Sequence, residues 1–158
     1  MWRKIHEITP ILDPSGAILE HSPAADYDVP PEELNRAGAG PFCAFRVVQN
    51  AGPSGIFAIA VDNRCVYIGK SSNPIVKRIS DIGNISLSSI RKKGGQPSQC
   101  RINHLILEAI KSGATVSFWH CAPPNRHYPP QQDNLVLPAP GELPEWNQRK
   151  PPEYGQCA

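Results

Sequence analysis

Two apolar runs near the middle of the chain place the strongest constraint on its fold. The first run is GIFAIAV (55–61), the second is CVYIG (65–69), and polar residues 62–64 separate them. Two runs of strand-forming residues joined by a short polar segment predict a β-hairpin. Because side chains alternate between the two faces of a strand, residues 56, 58 and 60 should face one way and residues 57, 59 and 61 the other.

Two helices and a third strand should follow this hairpin. Asn73 suits a helix N-cap and Pro74 suits the first helical position, and an apolar stripe at 75, 79 and 82 predicts a helix over 73–82. A second helix over 99–112, with an apolar face at 102, 105, 106, 109 and 110, should end at Gly113. Alternation over 115–120 predicts a strand, which completes the order β-β-α-α-β and an α+β fold class.

The distribution of proline divides the chain into three parts. Of the eighteen prolines, seven lie in residues 1–53, two in 54–121 and nine in 122–158. Proline interrupts helices and sheets, so regular structure should be concentrated in the middle. We therefore expect an N-terminal hairpin and loop extension over 1–52, a central domain over 53–147 and a Pro-rich tail over 148–158.

The N-terminal extension carries its own local signals. The segment Asp13-Pro14-Ser15-Gly16 suits a type I turn between two short apolar stretches, which predicts a small hairpin. One helical turn is expected at 31–34 and a strand at 42–48. After residue 121 a short helix or strand is expected only at 131–137.

Charge is concentrated in the centre of the chain. Residues 66–111 contain eight Lys and Arg but two Asp and Glu, whereas the segments before and after are slightly acidic. A basic centre indicates attraction to a polyanion. Arg91, Lys92 and Lys93 adjoin two glycines and predict a flexible loop that lies on a phosphate backbone, the alternative being a solvated loop.

The five cysteines are odd in number and lack close pairing, which favours reduced thiols in a cytoplasm over a disulfide framework. Cys100 with His104, and His120 with Cys121, offer only weak spacing for a zinc site, and buried thiols are the favoured interpretation. The chain has no run of 18 apolar residues and no charged-then-apolar leader, so no membrane span or signal peptide is expected.

Together the runs Gly55-Ile56-Phe57 and Tyr67-Ile68-Gly69, followed by Lys70 and by a helix that carries Arg78, resemble the GIY-YIG nuclease superfamily. The segment GGQPSQCRIN (94–103) is similar to a signature of small bacterial members. The resemblance implies a small mixed or antiparallel sheet flanked by helices. It also implies a stand-alone enzyme that hydrolyses phosphodiester bonds in DNA with Mg²⁺ or another divalent cation.

The resemblance also implies roles for individual residues. Tyr67 would hold or deprotonate the attacking water, with Lys70 and Arg78 as nearby positive charge, and Arg78 would bind the phosphate. Asn147 ends the segment Pro144-Glu145-Trp146-Asn147, which fits the end of the family's pattern. On the second helix, Arg101 and Asn103 are candidates for phosphate or base contacts, since an Asn amide can read an adenine edge.

The chain departs from the family at three positions. Phe57 stands where the family has Tyr, Ile82 stands where many members have a polar group, and Gln132 stands where a Glu binds the metal. Asp133 is the first candidate to replace that Glu; Glu142, or no carboxylate at all, are the alternatives.

These departures leave more than one function open. The first hypothesis is a metal-dependent DNA endonuclease. The second is a catalytically degenerate fold that binds nucleic acid or a partner protein. A third, weaker hypothesis is that the Pro-rich tail serves as a protein-interaction module.

Overall fold

The computed structural model describes residues 1–47, 53–121, 134–154 and 157. In chain order, the elements within these residues are β1 (Trp2–Glu7), β2 (Glu20–His21), α1 (Pro23–Asp26), a 3₁₀ helix (Pro31–Glu33), β3 (Phe42–Cys43), β4 (Gly55–Val61), β5 (Arg64–Ser71), α2 (Ile75–Ile82), α3 (Pro97–Lys111) and β6 (Val116–Cys121). The predicted α+β class is confirmed, and so is the order β4-β5-α2-α3-β6. No helix in the described part of the chain is long and apolar enough to cross a membrane.

The chain divides into two compact units. The sheet unit contains residues 1–8, 48–78 and 114–158, and the helix unit contains residues 9–47 and 79–113. Helix α2 begins in the sheet unit and ends in the helix unit. The three-part division at residues 52 and 147 stays a prediction.

An antiparallel sheet in the order β1-β6-β4-β5 forms the sheet unit. The predicted hairpin is confirmed: β4 and β5 are joined through Asp62 and Asn63, which have φ angles of 49° and 64°. Asp and Asn tolerate this left-handed conformation, which a two-residue hairpin loop needs. The Asp62 carboxylate also accepts a hydrogen bond of 2.9 Å from the Thr115 N–H, which ties the turn to the start of β6.

The sheet presents two different faces, as the alternation predicts. One face, the Trp119 face, contains a buried cluster of Ala58, Ala60, Cys65, Ile68 and Trp119. The opposite face, the Tyr67 face, carries Phe57, Ile59, Tyr67 and Phe118. Alternate residues of β4 therefore serve the two faces, whereas in β5 the register shift between Ile59 and Ala60 brings Cys65 and Ile68, three positions apart, to the same face.

Strand β1 was not predicted from the sequence. It pairs with β6, with Arg3 opposite His120 and His6 opposite Phe118. A register shift between Lys4 and His6 breaks its two-residue period, and most of its side chains are polar, so the segment carries no alternating pattern. Its long side chains still cover apolar surface: Lys4 Nζ lies 5.9 Å from the centroid of the Trp119 ring.

A C-terminal segment lines the outer edge of β5. The Cys65 N–H donates to the Val136 carbonyl at 2.8 Å, the Val136 N–H donates to Asn63 at 2.9 Å, and the Trp146 N–H donates to Val66 at 2.7 Å. These bonds satisfy backbone groups that an edge strand would otherwise expose. Residues 131–133 of the short element expected at 131–137 lie outside the described residues.

Cys121 and Cys157 form a disulfide within the sheet unit. The expectation of five reduced thiols is wrong for these two, because the fold brings together two cysteines that are 36 residues apart in the sequence. Cys43, Cys65 and Cys100 are buried free thiols, and burial raises the pKa of Cys43 to about 11 and that of Cys65 to about 12. The cytoplasmic location stays a prediction.

In the helix unit, the small N-terminal hairpin and the helical turn near residue 31 are confirmed. The Gly16 N–H donates to the Asp13 carbonyl at 3.0 Å, and the Asp13 N–H donates to the Ala17 carbonyl at 2.8 Å. The strand expected at 42–48 is shorter: in the described part of this segment, β3 covers Phe42 and Cys43 opposite β2, and Phe45 adds one isolated bridge to Pro10. Helix α3 begins two residues earlier than predicted.

Candidate active site

Tyr67 lies on the sheet face that bears its name, half-buried and directly opposite Ile59. The centroid of its ring is 5.9 Å from that of Phe57, which is only 1% exposed. Phe57 in turn lies 6.4 Å from Phe118. The Phe57 ring therefore acts as a packing group that supports one side of Tyr67, and Tyr67 keeps part of its surface accessible.

Gly69 makes this ring arrangement possible. It pairs with Phe57 across the strands, and an added Cβ would lie 2.8 Å from Tyr67 Cε1 and 2.9 Å from Phe57 Cζ. Carbon atoms in contact normally lie about 3.5–4.0 Å apart. Both rings thus occupy space that any side chain at position 69 would need. This steric requirement explains why the Tyr67-Ile68-Gly69 run ends in glycine.

Arg78 lies on the inward side of α2. Ile75, Ile79 and Ile82 are buried, so residue 78 falls within the same i, i+3, i+4, i+7 stripe. Arg78 is half-buried, and its Nε is buried with no hydrogen-bond partner among the described residues. A guanidinium so placed suits an anionic ligand, since buried donors are nearly always paired.

Asn147 holds the backbone beside Tyr67. Its Oδ1 accepts a hydrogen bond from the Ile68 N–H and its Nδ2 donates to the Ile68 carbonyl, both at 2.9 Å. The neighbouring Trp146 N–H bonds the Val66 carbonyl on the other side of Tyr67. The amide of Asn147 is therefore used to position strand β5.

Lys70 lies apart from Tyr67. Lys70 is exposed and lies on β5, where it pairs with Ile56 of β4. Because it comes one position after Gly69, which shares the face of Tyr67, alternation directs Lys70 to the opposite face. The expectation that Lys70 supplies positive charge next to Tyr67 is therefore not supported by the strand geometry, whereas its role in nucleic-acid binding stays a prediction.

The predicted basic loop belongs to the helix unit. Arg91 forms an ion pair with Glu33, and the Lys92 N–H donates to the Glu33 carbonyl at 2.7 Å. The side chains of Lys92 and Lys93 are exposed. Arg91 is thus partly neutralised, and the nucleic-acid contacts expected of these three residues stay predictions.

Helix α3 carries the remaining two predicted contact residues. Arg101 is half-buried, and its role as a phosphate contact stays a prediction. Asn103 is fully buried: its Oδ1 accepts from the Cys43 N–H at 3.0 Å, and its Nδ2 donates to the carbonyls of Cys43 and Ile82, both at 2.7 Å. The expectation that Asn103 reads a base is wrong, because its amide is buried and joins three backbone groups of the helix unit.

A metal site needs ligating side chains that lie close together. The described residues contain no group of three or more His, Cys, Asp or Glu side chains that could hold a metal ion. Glu142 is exposed, and its Oε2 accepts a hydrogen bond of 3.0 Å from the Ala139 N–H. Asp133, the first candidate ligand, lies outside the described residues. Since Mg²⁺ is often held by only one or two carboxylates together with substrate phosphate, the divalent cation that the resemblance implies stays a prediction.

His120 is a candidate that sequence reasoning considered only as a zinc ligand. It is 4% exposed and lies opposite Phe57, on the Tyr67 face. Its Nε2 lies 3.4 Å from where a Cβ on Gly55 would be. The sequence could not place His120 near Tyr67, because that requires the register between β6 and β4. Alternation within β6 alone does not give this register.

No family model and no curated protein matches the chain. Among solved structures, a mutant of bacteriophage T4 EndoII is similar to it, with 28% sequence identity and a TM-score of 0.37. The match covers 55% of this chain and 58% of the EndoII chain, so the chain spans less than two thirds of that protein. At this TM-score the likeness carries no argument about the fold or the activity.

Proposed function

We propose that this protein is a GIY-YIG-type DNA endonuclease that hydrolyses phosphodiester bonds with Tyr67 and Arg78. The observation that carries the proposal is the buried Nε of Arg78, which has no hydrogen-bond partner among the described residues. An arginine on the inward stripe of a helix is costly unless an anion pairs with it. A phosphate oxygen would provide that partner.

Each side chain has a defined task in this mechanism. The Tyr67 hydroxyl holds the attacking water, while Arg78 donates charge-assisted hydrogen bonds to the non-bridging phosphate oxygens. A new P–O bond forms to the water oxygen as the P–O bond to the leaving sugar oxygen breaks. The water loses one proton to solvent, and the leaving sugar oxygen takes up one proton from solvent. Asn147 contributes by holding the backbone of Ile68, so that Tyr67 keeps its orientation.

The magnitudes show that further catalytic groups are required. Charge-assisted hydrogen bonds contribute about 1.5–3 kcal/mol each, whereas phosphate-ester hydrolysis requires a barrier reduction of up to roughly 20 kcal/mol. A divalent cation such as Mg²⁺ would act as a Lewis acid on the phosphate. We assign no step to it, because the described residues contain no ligand cluster for it.

The experiment is a plasmid-nicking assay on the full chain with Mg²⁺ and with Mn²⁺. We expect nicking by the native protein and none by Arg78→Ala. Lys77→Ala is the matched control, because it removes one positive charge from an exposed position of the same helix and should keep activity. Equal loss in both variants, or full activity of Arg78→Ala, would contradict the proposed role of Arg78.

A catalytically degenerate fold that binds nucleic acid or a partner protein is the second candidate. Phe57 and Ile82 are each 1% exposed and apolar, at positions where the family resemblance implies polar groups. Salt-sensitive DNA binding without cleavage in either metal would favour this function.

A further inference from the structure

The backbone on both sides of Tyr67 is held by one short segment of the chain. Trp146 bonds the Val66 carbonyl, and Asn147 bonds both backbone groups of Ile68. We call these three hydrogen bonds the Tyr67 clamp. The clamp fixes the edge strand that carries the proposed water-holding residue.

The same C-terminal segment is anchored at its other end on the opposite side of the sheet. Tyr154 lies with its ring centroid 6.3 Å from that of Trp2, and Trp2 pairs with Cys121 across β1 and β6. Cys157 is joined to Cys121 by the disulfide. Leu135, Leu137 and Tyr154 all pack on the Trp119 face. The segment is therefore held at β5 by hydrogen bonds and at β6 by a covalent bond.

Among the five cysteines, Cys121 and Cys157 are the two suited to thiol–disulfide exchange. The other three cysteines, Cys43, Cys65 and Cys100, are buried, and burial raises the pKa of each thiol. A thiol must ionise to attack a disulfide, so these three are poor exchange partners. Within the disulfide, Cys157 is 1% exposed, whereas Cys121 is only half-buried, so Cys121 is the side that an external thiol would approach.

We propose that the Cys121–Cys157 disulfide is a redox-controlled clasp that keeps the Tyr67 clamp closed. A dithiol reductant breaks the S–S bond by thiol–disulfide exchange: both cysteine sulfurs become thiols, and the reductant becomes a disulfide. The segment that carries Cys157 is then no longer bonded to β6, and the clamp opens more often. The effect on DNA cleavage rests on the proposed function, whereas the effect on the clamp does not.

Amide hydrogen exchange of the full chain tests the clasp directly. The Ile68 N–H, which donates to Asn147, should exchange at least about tenfold faster in the reduced protein than in the oxidised protein, because local opening sets its exchange rate. Amides inside β4 serve as the control and should change little. The double variant Cys121→Ser, Cys157→Ser should behave as the reduced protein and should not respond to reductant.

The outcomes separate the two proposals. If the Ile68 N–H exchanges at the same rate in the oxidised and in the reduced native protein, the proposed clasp is overturned, whether or not the double variant folds. Faster exchange with cleavage that reduction leaves unchanged overturns redox control of the site. Faster exchange in a protein that cleaves DNA in neither state supports the clasp and overturns the proposed nuclease.

Discussion

Substituting Gly69 by alanine tests whether the packing of Phe57 and Tyr67 determines the shape of the candidate site. The added methyl would lie 2.8 Å from Tyr67 Cε1, and 2.9 and 3.0 Å from Phe57 Cζ and Cε1. Phe57 is almost completely buried and also touches Phe118, so its ring has little room to move. Each ring must shift by roughly half an ångström to reach normal contact distance.

The expected destabilisation follows from this crowding. Overpacking a buried site costs about 1–3 kcal/mol, and replacing Gly by Ala within a strand returns roughly 0.5–1 kcal/mol through backbone entropy. The free energy of unfolding should therefore fall by about 1–2 kcal/mol. With a urea dependence of about 2 kcal/mol per molar, the unfolding midpoint should fall by about 0.5–1 M.

A double-mutant cycle with Phe57→Leu locates the cause. Leucine removes the two ring atoms that crowd the methyl on the Phe57 side, so the cost of Gly69→Ala should be smaller in the Phe57→Leu background. A coupling free energy of about 1 kcal/mol is expected for residues in direct contact. Additive effects, or a Gly69→Ala variant as stable as the native protein, would refute the steric explanation.

Three further predictions concern the helix unit and the free thiols. Asn103→Ala should lower the free energy of unfolding by about 3 kcal/mol or more in a urea titration, because three buried backbone groups lose their partner, and the salt dependence of DNA binding should not change. The thiols of Cys43 and Cys65, with pKa values of about 11 and about 12, should resist alkylation at pH 8 in the folded protein and react after unfolding. The pKa of Asp13 lies below 3.8, and the largest cause is the hydrogen bond from the Ser15 hydroxyl. The ionised Asp13 carboxylate therefore stabilises the fold above pH 3.8, and this stabilisation is lost as the pH falls through the folded pKa. In Ser15→Ala the pKa of Asp13, followed by NMR, should rise toward 3.8.

Local patterns were enough to predict most of the central elements. The hairpin of β4 and β5, helix α2, helix α3 and strand β6 all follow from periodicity and from turn or capping residues that lie within each segment. The two-residue turn at Asp62 and Asn63 needs no distant contact to be recognised. These elements are therefore properties of short stretches of sequence.

Features that depend on pairing between distant segments could not be predicted. Strand β1 is recognisable only from its partner β6, since its own pattern is polar and interrupted by a register shift. The pairing of Cys121 with Cys157 likewise depends on where the segment that carries Cys157 meets β6. Nothing within either local sequence encodes these contacts.

The buried face of α3 includes a polar side chain that the predicted apolar face left out. The predicted face included Ala109 and Ile110, but both are only half-buried, whereas Asn103 is fully buried. A buried amide is tolerated when its donors and acceptor are all paired, and Asn103 meets this condition through Cys43 and Ile82. Its hydrogen-bond partners therefore allow a polar residue on the side of the helix that also buries Ile102 and Ile106.

Arg78 presents the opposite case, and this contrast connects the fold to the proposed chemistry. Like Asn103, it occupies an inward helix position, but its buried Nε has no hydrogen-bond partner among the described residues. A position that breaks the local pattern without internal compensation is expected at functional sites, where a ligand supplies the missing partner. Methionine keeps the apolar stem of arginine and removes the charged group, whose buried Nε receives no hydrogen-bond partner from the described residues. Arg78→Met should therefore retain or raise stability in urea while it abolishes nicking, and a variant that unfolds more easily but still cleaves DNA would assign Arg78 to the fold instead.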